Sequence, residues 1–298
     1  MEISRRRLLQ LGLLSAGTTA LAGGSMRGHA ESDGGFSVIR RSSPSVVQGA
    51  TDESRTQFSI VHRADDSFDF YVRNSSRESV WIPDKVETHS LPGQGTVVSK
   101  AYFSDLRLNE TFFFAIERDG VLKDEREFRM LDTKAERIRF AICSCMDDGR
   151  HSPEIWQDLV EHKPDFILFV GDCTYCDYGP GDDMGPSRLW RRFSEARATL
   201  EIYFSRKLIP IFATWDDHDF GQNDSGREYP WVTESQVNFM RFFAMEPSHC
   251  AAIERGPGVS SAFILGRQQF VLMDDRSFRI AGSSRDATRI GDRSRKTG

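Results

Sequence analysis

The chain has 298 residues, with 39 Lys plus Arg against 44 Asp plus Glu and a formal net charge of −5. That balance offers no basic face for a nucleic-acid partner. Five cysteines are too few, and odd in number, for a disulfide scaffold.

The first segment reads as an export signal. Ser4-Arg5-Arg6-Arg7-Leu8-Leu9 precedes an apolar stretch at 11–22, and Gly28-His29-Ala30 supplies small residues at the exit. Cleavage is expected after Ala30. The paired arginines resemble a twin-arginine signal, which is an address rather than an anchor. The expected partner is therefore the twin-arginine export machinery, and the expected location is periplasmic or extracellular. A stable membrane anchor is not expected, because a spanning helix needs roughly 20 apolar residues. This run is shorter and rich in Gly, Ser and Thr. Folded proteins leave by that route, often with a cofactor loaded, which favours a metal centre.

Residues 31–55 are Ser-, Gly- and Arg-rich and read as a loose lead-in. Residues 56–133 read as strands and turns. Phe58, Ile60 and His62 alternate with polar residues, and so do Phe112, Phe114 and Ile116. Asp119-Gly120 predicts a tight hairpin turn between two strands. Several short strands at regular spacing predict a small all-β sandwich of fibronectin-III type. No catalytic constellation lies there, and its expected role is to pack against or shield a second domain.

From residue 134 the pattern changes to strand–helix alternation, which predicts an α/β domain over 134–298. Ser152-Pro153-Glu154 starts a short helix with Ile155, Trp156 and Leu159 as its apolar stripe. Residues 188–207 form a longer helical run with Leu189, Phe193, Ala196 and Leu200 at helical spacing. Thr233-Glu234-Ser235-Gln236 matches a capping box before Val237, Met240 and Phe243. Residues 270–273 are a further apolar run, ending in Asp274-Asp275-Arg276.

Three polar clusters hang off apolar runs at 138–142, 166–170 and 208–213. They are Cys143-Ser144-Cys145, Gly171-Asp172-Cys173-Thr174-Tyr175 and Trp215-Asp216-Asp217-His218-Asp219. Short apolar runs between helical patterns read as buried parallel strands, and ligands collect at the carboxyl ends of such strands. Thiol, phenol, carboxylate and imidazole are metal-ligand groups. The third cluster crowds three carboxylates around one imidazole, and like charges raise each other's pKa unless a cation offsets them.

Ser144-Cys145, Gly171-Asp172-x-x-Tyr175-x-Asp177 and Trp215-Asp216-Asp217-His218-Asp219 together resemble the alkaline phosphatase D (PhoD-like) family of metallophosphoesterases. Met273-Asp274-Asp275-Arg276 resembles a further segment of that family. The resemblance implies an αββα phosphoesterase domain behind a β-sandwich, and hydrolysis of phosphate mono- and diesters with iron and calcium. It also implies site roles. Cys145 and Tyr175 would ligate iron, Asp172 would bridge the metals, and Asp217 would ligate the second. His218 would contact the phosphate or protonate the leaving alkoxide. Asp216 would ligate calcium, Asp219 and Asp177 would orient the ligands from behind, and Arg276 would bind substrate phosphate. Thiolate and phenolate suit trivalent iron, and carboxylate oxygens suit calcium.

Three alternatives stand beside this reading. Cys173-Thr174-Tyr175-Cys176 matches a thioredoxin-like redox motif, although Gly179-Pro180-Gly181 breaks the helix such a motif needs. Cys143, Cys145, Cys173 and Cys176 suit a zinc site in number, although Cys143 and Cys145 alternate on a strand and project to opposite faces. The third is a truncated, inactive or binding-only homologue. Family members continue past the Asp-x-Arg segment to a late Gly-Asp-x-His motif, and none follows Arg276 here. The domain is therefore expected to be incomplete at its C-terminus.

Overall fold

A computed structural model describes residues 39, 43–150, 152–179, 183–250 and 252–280. The expectations for the signal at 1–30, most of the lead-in and the tail at 282–298 lie outside the described residues. The fold is rich in sheet and has few helices. Among the described residues no helix is long and apolar enough to cross a membrane.

The first eight strands form two antiparallel four-stranded sheets. One has the order β1-β2-β6-β5, from Ser45–Gln48, Thr56–Arg63, Thr96–Phe103 and Lys85–Ser90. The other has the order β4-β3-β7-β8, from Val80–Trp81, Asp69–Asn74, Thr111–Arg118 and Val121–Arg129. Period-two alternation puts the aromatics of both sheets on facing surfaces. Phe58 stacks on Phe114 with ring centroids 4.2 Å apart, and Phe128 meets Phe58 edge-on at 5.1 Å. The turn between β7 and β8 carries positive φ at Asp119 (53°) and Gly120 (72°), as a primed hairpin turn requires.

The β1 strand is a correction to the lead-in. Its four residues are all buried, paired with β2 from Ser45 opposite Val61 to Gln48 opposite Phe58. A polar, Arg-rich composition hides a strand whose pairing comes from its neighbour.

The outer face of the β1-β2-β6-β5 sheet carries Gln57, Ser59 and Lys100, all buried. Polar groups are tolerated under cover only when paired, and here helices of the second half supply the partners. Arg197 donates to the carbonyls of Ser45, Ser59 and Phe242 at 3.2, 2.9 and 2.7 Å. Lys100 Nζ donates to the Met240 carbonyl at 2.8 Å and to Glu246 at 2.9 Å.

The second half holds two three-stranded sheets. Strands β9 (Phe140–Cys143), β10 (Phe166–Val170) and β11 (Ile211–Thr214) are parallel, in the order β11-β10-β9. Strands β12 (Ile253–Arg255), β13 (Ser261–Leu265) and β14 (Gln268–Leu272) are antiparallel. The two sheets meet through Phe212 stacked on Phe263 at 4.2 Å and Phe140 against Phe270 at 5.3 Å.

Three helix expectations change. The helix Pro153–Glu161 buries Trp156 and Val160 and leaves Ile155 exposed. The run at 188–207 is an α-helix, Pro186–Thr199, followed by a 3-10 turn, Glu201–Phe204. The capping box at 233–236 does not form: the helix Val232–Phe242 starts at Trp231, with Thr233 inside it. Tertiary contact decides the start, because Ser235 is fully buried and its hydroxyl donates to the Phe220 carbonyl at 2.6 Å.

Candidate metal centre

Parallel order and register bring the carboxyl ends of β9, β10 and β11 side by side, and each end carries one of the three polar clusters. The loop after β9 runs on against the end of β10: Cys145 N donates to the Gly171 carbonyl at 3.2 Å and Met146 N to the Asp172 carbonyl at 2.8 Å. Between β10 and β11 the approach is closer still. A Cβ on Gly171 would lie 2.5 Å from Cβ of Asp216, and Gly171 has φ +107°. Only glycine fits there. Cys145 and Asp172 themselves hold left-handed backbone, with φ 54° and 52°. Such strain in non-glycine residues costs on the order of 1–3 kcal/mol each and concentrates at functional sites.

After β11, Asp216 caps a one-turn helix, Asp217–Phe220, in a reciprocal capping box. The Asp216 side chain accepts from the Asp219 amide, and Asp219 accepts from Asp216 N at 3.1 Å. Asp219 is fully buried and also accepts from Thr174 N at 2.8 Å, which ties the second cluster to the third. Burial pushes the Asp219 carboxyl well above the usual carboxylate range.

Asp172, Asp217 and His218 converge. One donor atom from each lies within 4.8 Å of the others, the one such group of three among the described residues. Asp172 Oδ1 is buried without a hydrogen-bond partner. Burial, reinforced by the charges of Asp217 and Asp216, holds the Asp172 carboxyl high against the pull of His218. Burial acts the same way on Asp217, but the Asp224 amide at 2.8 Å, Arg276 and His218 bring it below its ordinary value. An orphaned acceptor in a clustered Asp/Asp/His set is what a cation would satisfy. These residues fit a metal ion.

Asp172 also faces the first cluster. The Cys145 thiol, exposed, lies 3.6 Å from Asp172 Oδ2. The Tyr175 hydroxyl adjoins both, and burial with the nearby Asp172 charge pushes its pKa up. Asp172 is therefore common to a thiol–phenol side and a carboxylate–imidazole side.

His218 is held from behind. Its Nδ1 lies 2.6 Å from Asp177 Oδ1, and Asp177 Oδ2 accepts from Asn223 N at 3.1 Å. A carboxylate at Nδ1 fixes the proton there and leaves Nε2 as the free nitrogen. Tyr175 packs on the imidazole with centroids 4.4 Å apart.

Arg276 and Asp216 pair with each other. Arg276 Nε donates to Asp216 Oδ1 at 2.6 Å, its Nη2 reaches the same oxygen, and Asp217 and Asp275 lie at 3.8 and 3.5 Å. Arg276 is a counter-ion to the acidic cluster, with Nη1 alone lacking a partner. Asp216 is occupied by that arginine and by its cap, and lies outside the converging group.

Sequence reasoning gave no role to Asp274. Its carboxylate accepts from Trp215 Nε1 at 2.8 Å and from the amides of Arg276, Ser277 and Val259 at 3.1, 2.8 and 3.1 Å. It fixes the Arg276 turn against the residue that precedes Asp216. Its place at the end of the apolar run 270–273 was the available signal.

The four-cysteine cluster does not assemble. All five cysteines are free, and Cys173 and Cys176 are buried in the core with thiols that burial pushes well up. Cys143 packs on the core, its thiol raised by burial to about 11. A cavity of about 550 Å³ lies at the opposite end of the parallel strands, lined among others by Ile138, Asp165 and Pro210, away from these donors.

No protein-family model and no curated protein matches the chain. A solved structure described as "Structure of PhoD" is similar in fold, with a TM-score of 0.62 and 16% sequence identity. The match covers 80% of this chain and 52% of that one, so this chain spans about half the length of the structure it matches.

Proposed function

We propose that the chain is a metal-dependent phosphoesterase of the alkaline phosphatase D type, hydrolysing phosphate mono- or diesters after export. One observation carries this reading: Asp172, Asp217 and His218 present donors within 4.8 Å of one another beside an orphaned carboxylate oxygen of Asp172. The fold likeness to PhoD supports it. So does the facing of the two small sheets through Phe212 and Phe263, which suits the inner layers of an αββα domain.

Asp172 and Asp217 would hold one ion, with His218 beside it, and Cys145, Tyr175 and Asp172 a second. Calcium and iron are our proposed identities, with zinc as the alternative. Metal ions there would supply charge to polarise the phosphoryl group and acidify a water. The chain's own residues do the rest. Asp177 holds the His218 imidazole so that Nε2 can give a proton to the departing ester oxygen. Asp219 keeps the turns after β10 and β11 in register. Arg276 balances the charge of Asp216 and Asp217 beside the site.

The test is metal analysis of the purified protein with hydrolysis of 4-nitrophenyl phosphate and bis(4-nitrophenyl) phosphate. Activity should vanish with a chelator and fall at least about 100-fold in His218→Ala and in Asp172→Ala. A folded, metal-loaded protein that hydrolyses neither ester would overturn the reading.

A further inference from the structure

A second space adjoins the candidate metal centre. A cavity of about 670 Å³ opens between the end of β9, the helix Pro153–Glu161 and the turn that carries Tyr175 and Tyr178. That volume is typical of small-molecule sites, on the order of 300–1,000 Å³. Its apolar wall is Ile142, Met146, Ile155, Trp156, Leu159 and Tyr178, and Cys145 and Tyr175 line it as well. The cleft and the thiol–phenol side of the metal centre therefore share a wall.

Core packing does not account for all of this surface. Ile142 on β9 is 62% exposed and Ile155 64%, and the core face of the helix that carries Ile155 is made by Trp156 and Val160. Aromatic rings run from the cleft to the imidazole: Tyr178 lies 4.7 Å from Tyr175, and Tyr175 lies 4.4 Å from His218. The charged residues of the lining are Asp147, Asp158 and Arg150, and Arg150 is 3.7 Å from Asp147. Among the described residues such a lining has acidic groups and no cation beyond Arg150, which faces Asp147.

We propose that this cleft binds the apolar, uncharged ester group of the substrate, aromatic or alkyl, while the phosphoryl group sits at the metal centre. The proposal rests on the phosphoesterase reading. In the reaction the oxygen of water bonds to phosphorus as the bond from phosphorus to the ester oxygen breaks. The ester oxygen leaves with a proton from His218 Nε2, as an alcohol held in the cleft. The proton lost by the water restores His218, and phosphate keeps the water's oxygen.

The experiment compares 2-phenylethyl phosphate with ethyl phosphate, whose alcohols are close in acidity, in the metal-loaded protein and in Ile155→Glu. The wild type should favour the phenylethyl ester by about 10-fold or more in kcat/KM. The ratio should fall toward one in Ile155→Glu, through KM. Calorimetric titration with 2-phenylethylphosphonate and methylphosphonate reads binding without turnover, and the same preference and the same loss are expected. Equal use of both esters, or a preference that survives Ile155→Glu, overturns the cleft while leaving the phosphoesterase reading standing. Hydrolysis of neither ester sinks that reading, and the phosphonate titration then decides on the cleft alone.

Discussion

Asp172→Asn should make the metal-free protein more stable and the metal-loaded protein less so. In the metal-free protein Asp172 Oδ1 is buried without a partner, and Asp217 and His218 donors lie within 4.8 Å. Two like unit charges at 4.8 Å repel by about 3.5 kcal/mol at an effective dielectric constant of about 20. The nearby His218 and Arg276, and protonation of Asp172 itself, offset part of this. A gain of about 1–2 kcal/mol for the neutral isostere remains, in line with the cost of one unsatisfied buried group. The order reverses with metal, because an ion at about 100 times its Kd adds about 2.7 kcal/mol to a protein that binds it. The variant lacks the shared carboxylate and should gain little. Urea unfolding in a chelator, repeated after metal reconstitution, reads both signs. The pH dependence supplies a third check. The folded pKa of Asp172 is raised, so the stability it contributes is present below the unfolded pKa and is lost as pH rises through the folded value. The two chelated proteins should be equally stable in acid and diverge from about pH 4 upward. A chelated wild type more stable than the variant, or a gap that does not change with pH, would refute the reasoning.

Two further substitutions probe what holds the site. Asp177→Asn removes the charge at His218 Nδ1, 2.6 Å away; kcat on alkyl esters should fall by about 10–100-fold with an altered pH–rate profile and little change in KM. An unchanged profile would make Asp177 merely structural. Gly258→Ala would place a Cβ 1.9 Å from Asp274 Oδ2 at φ +63°. It should cost about 2–4 kcal/mol in a thermal or urea melt, and a loss below about 0.5 kcal/mol would contradict the packing around Asp274.

The places where chemistry gathers were legible because each lies at the end of an apolar run. The runs before Cys143, Gly171 and Trp215 are adjacent parallel strands, so clusters far apart in sequence end side by side. What the sequence could not do was sort the charges within a cluster. Asp216, Asp217, His218 and Asp219 read as near-equivalents along the chain, and it is the one-turn helix that separates them. With Asp216 as cap, Asp219 turns back into the backbone, whereas Asp217 and His218 join Asp172. An Asp-x-x-Asp box is a weaker written signal than Thr233-x-x-Gln236, yet it is the one that forms, because the burial of Ser235 against Phe220 overrides local capping at the later helix. Arg276 makes the same point for a cation. Its sequence neighbours say only that acids are near, and the tertiary approach of Asp216 determines that two of its three nitrogens are spent before any substrate arrives. Local pattern thus locates a site of this kind, while the assignment of ligand, cap and counter-ion depends on backbone geometry that becomes fixed only when the strands pair.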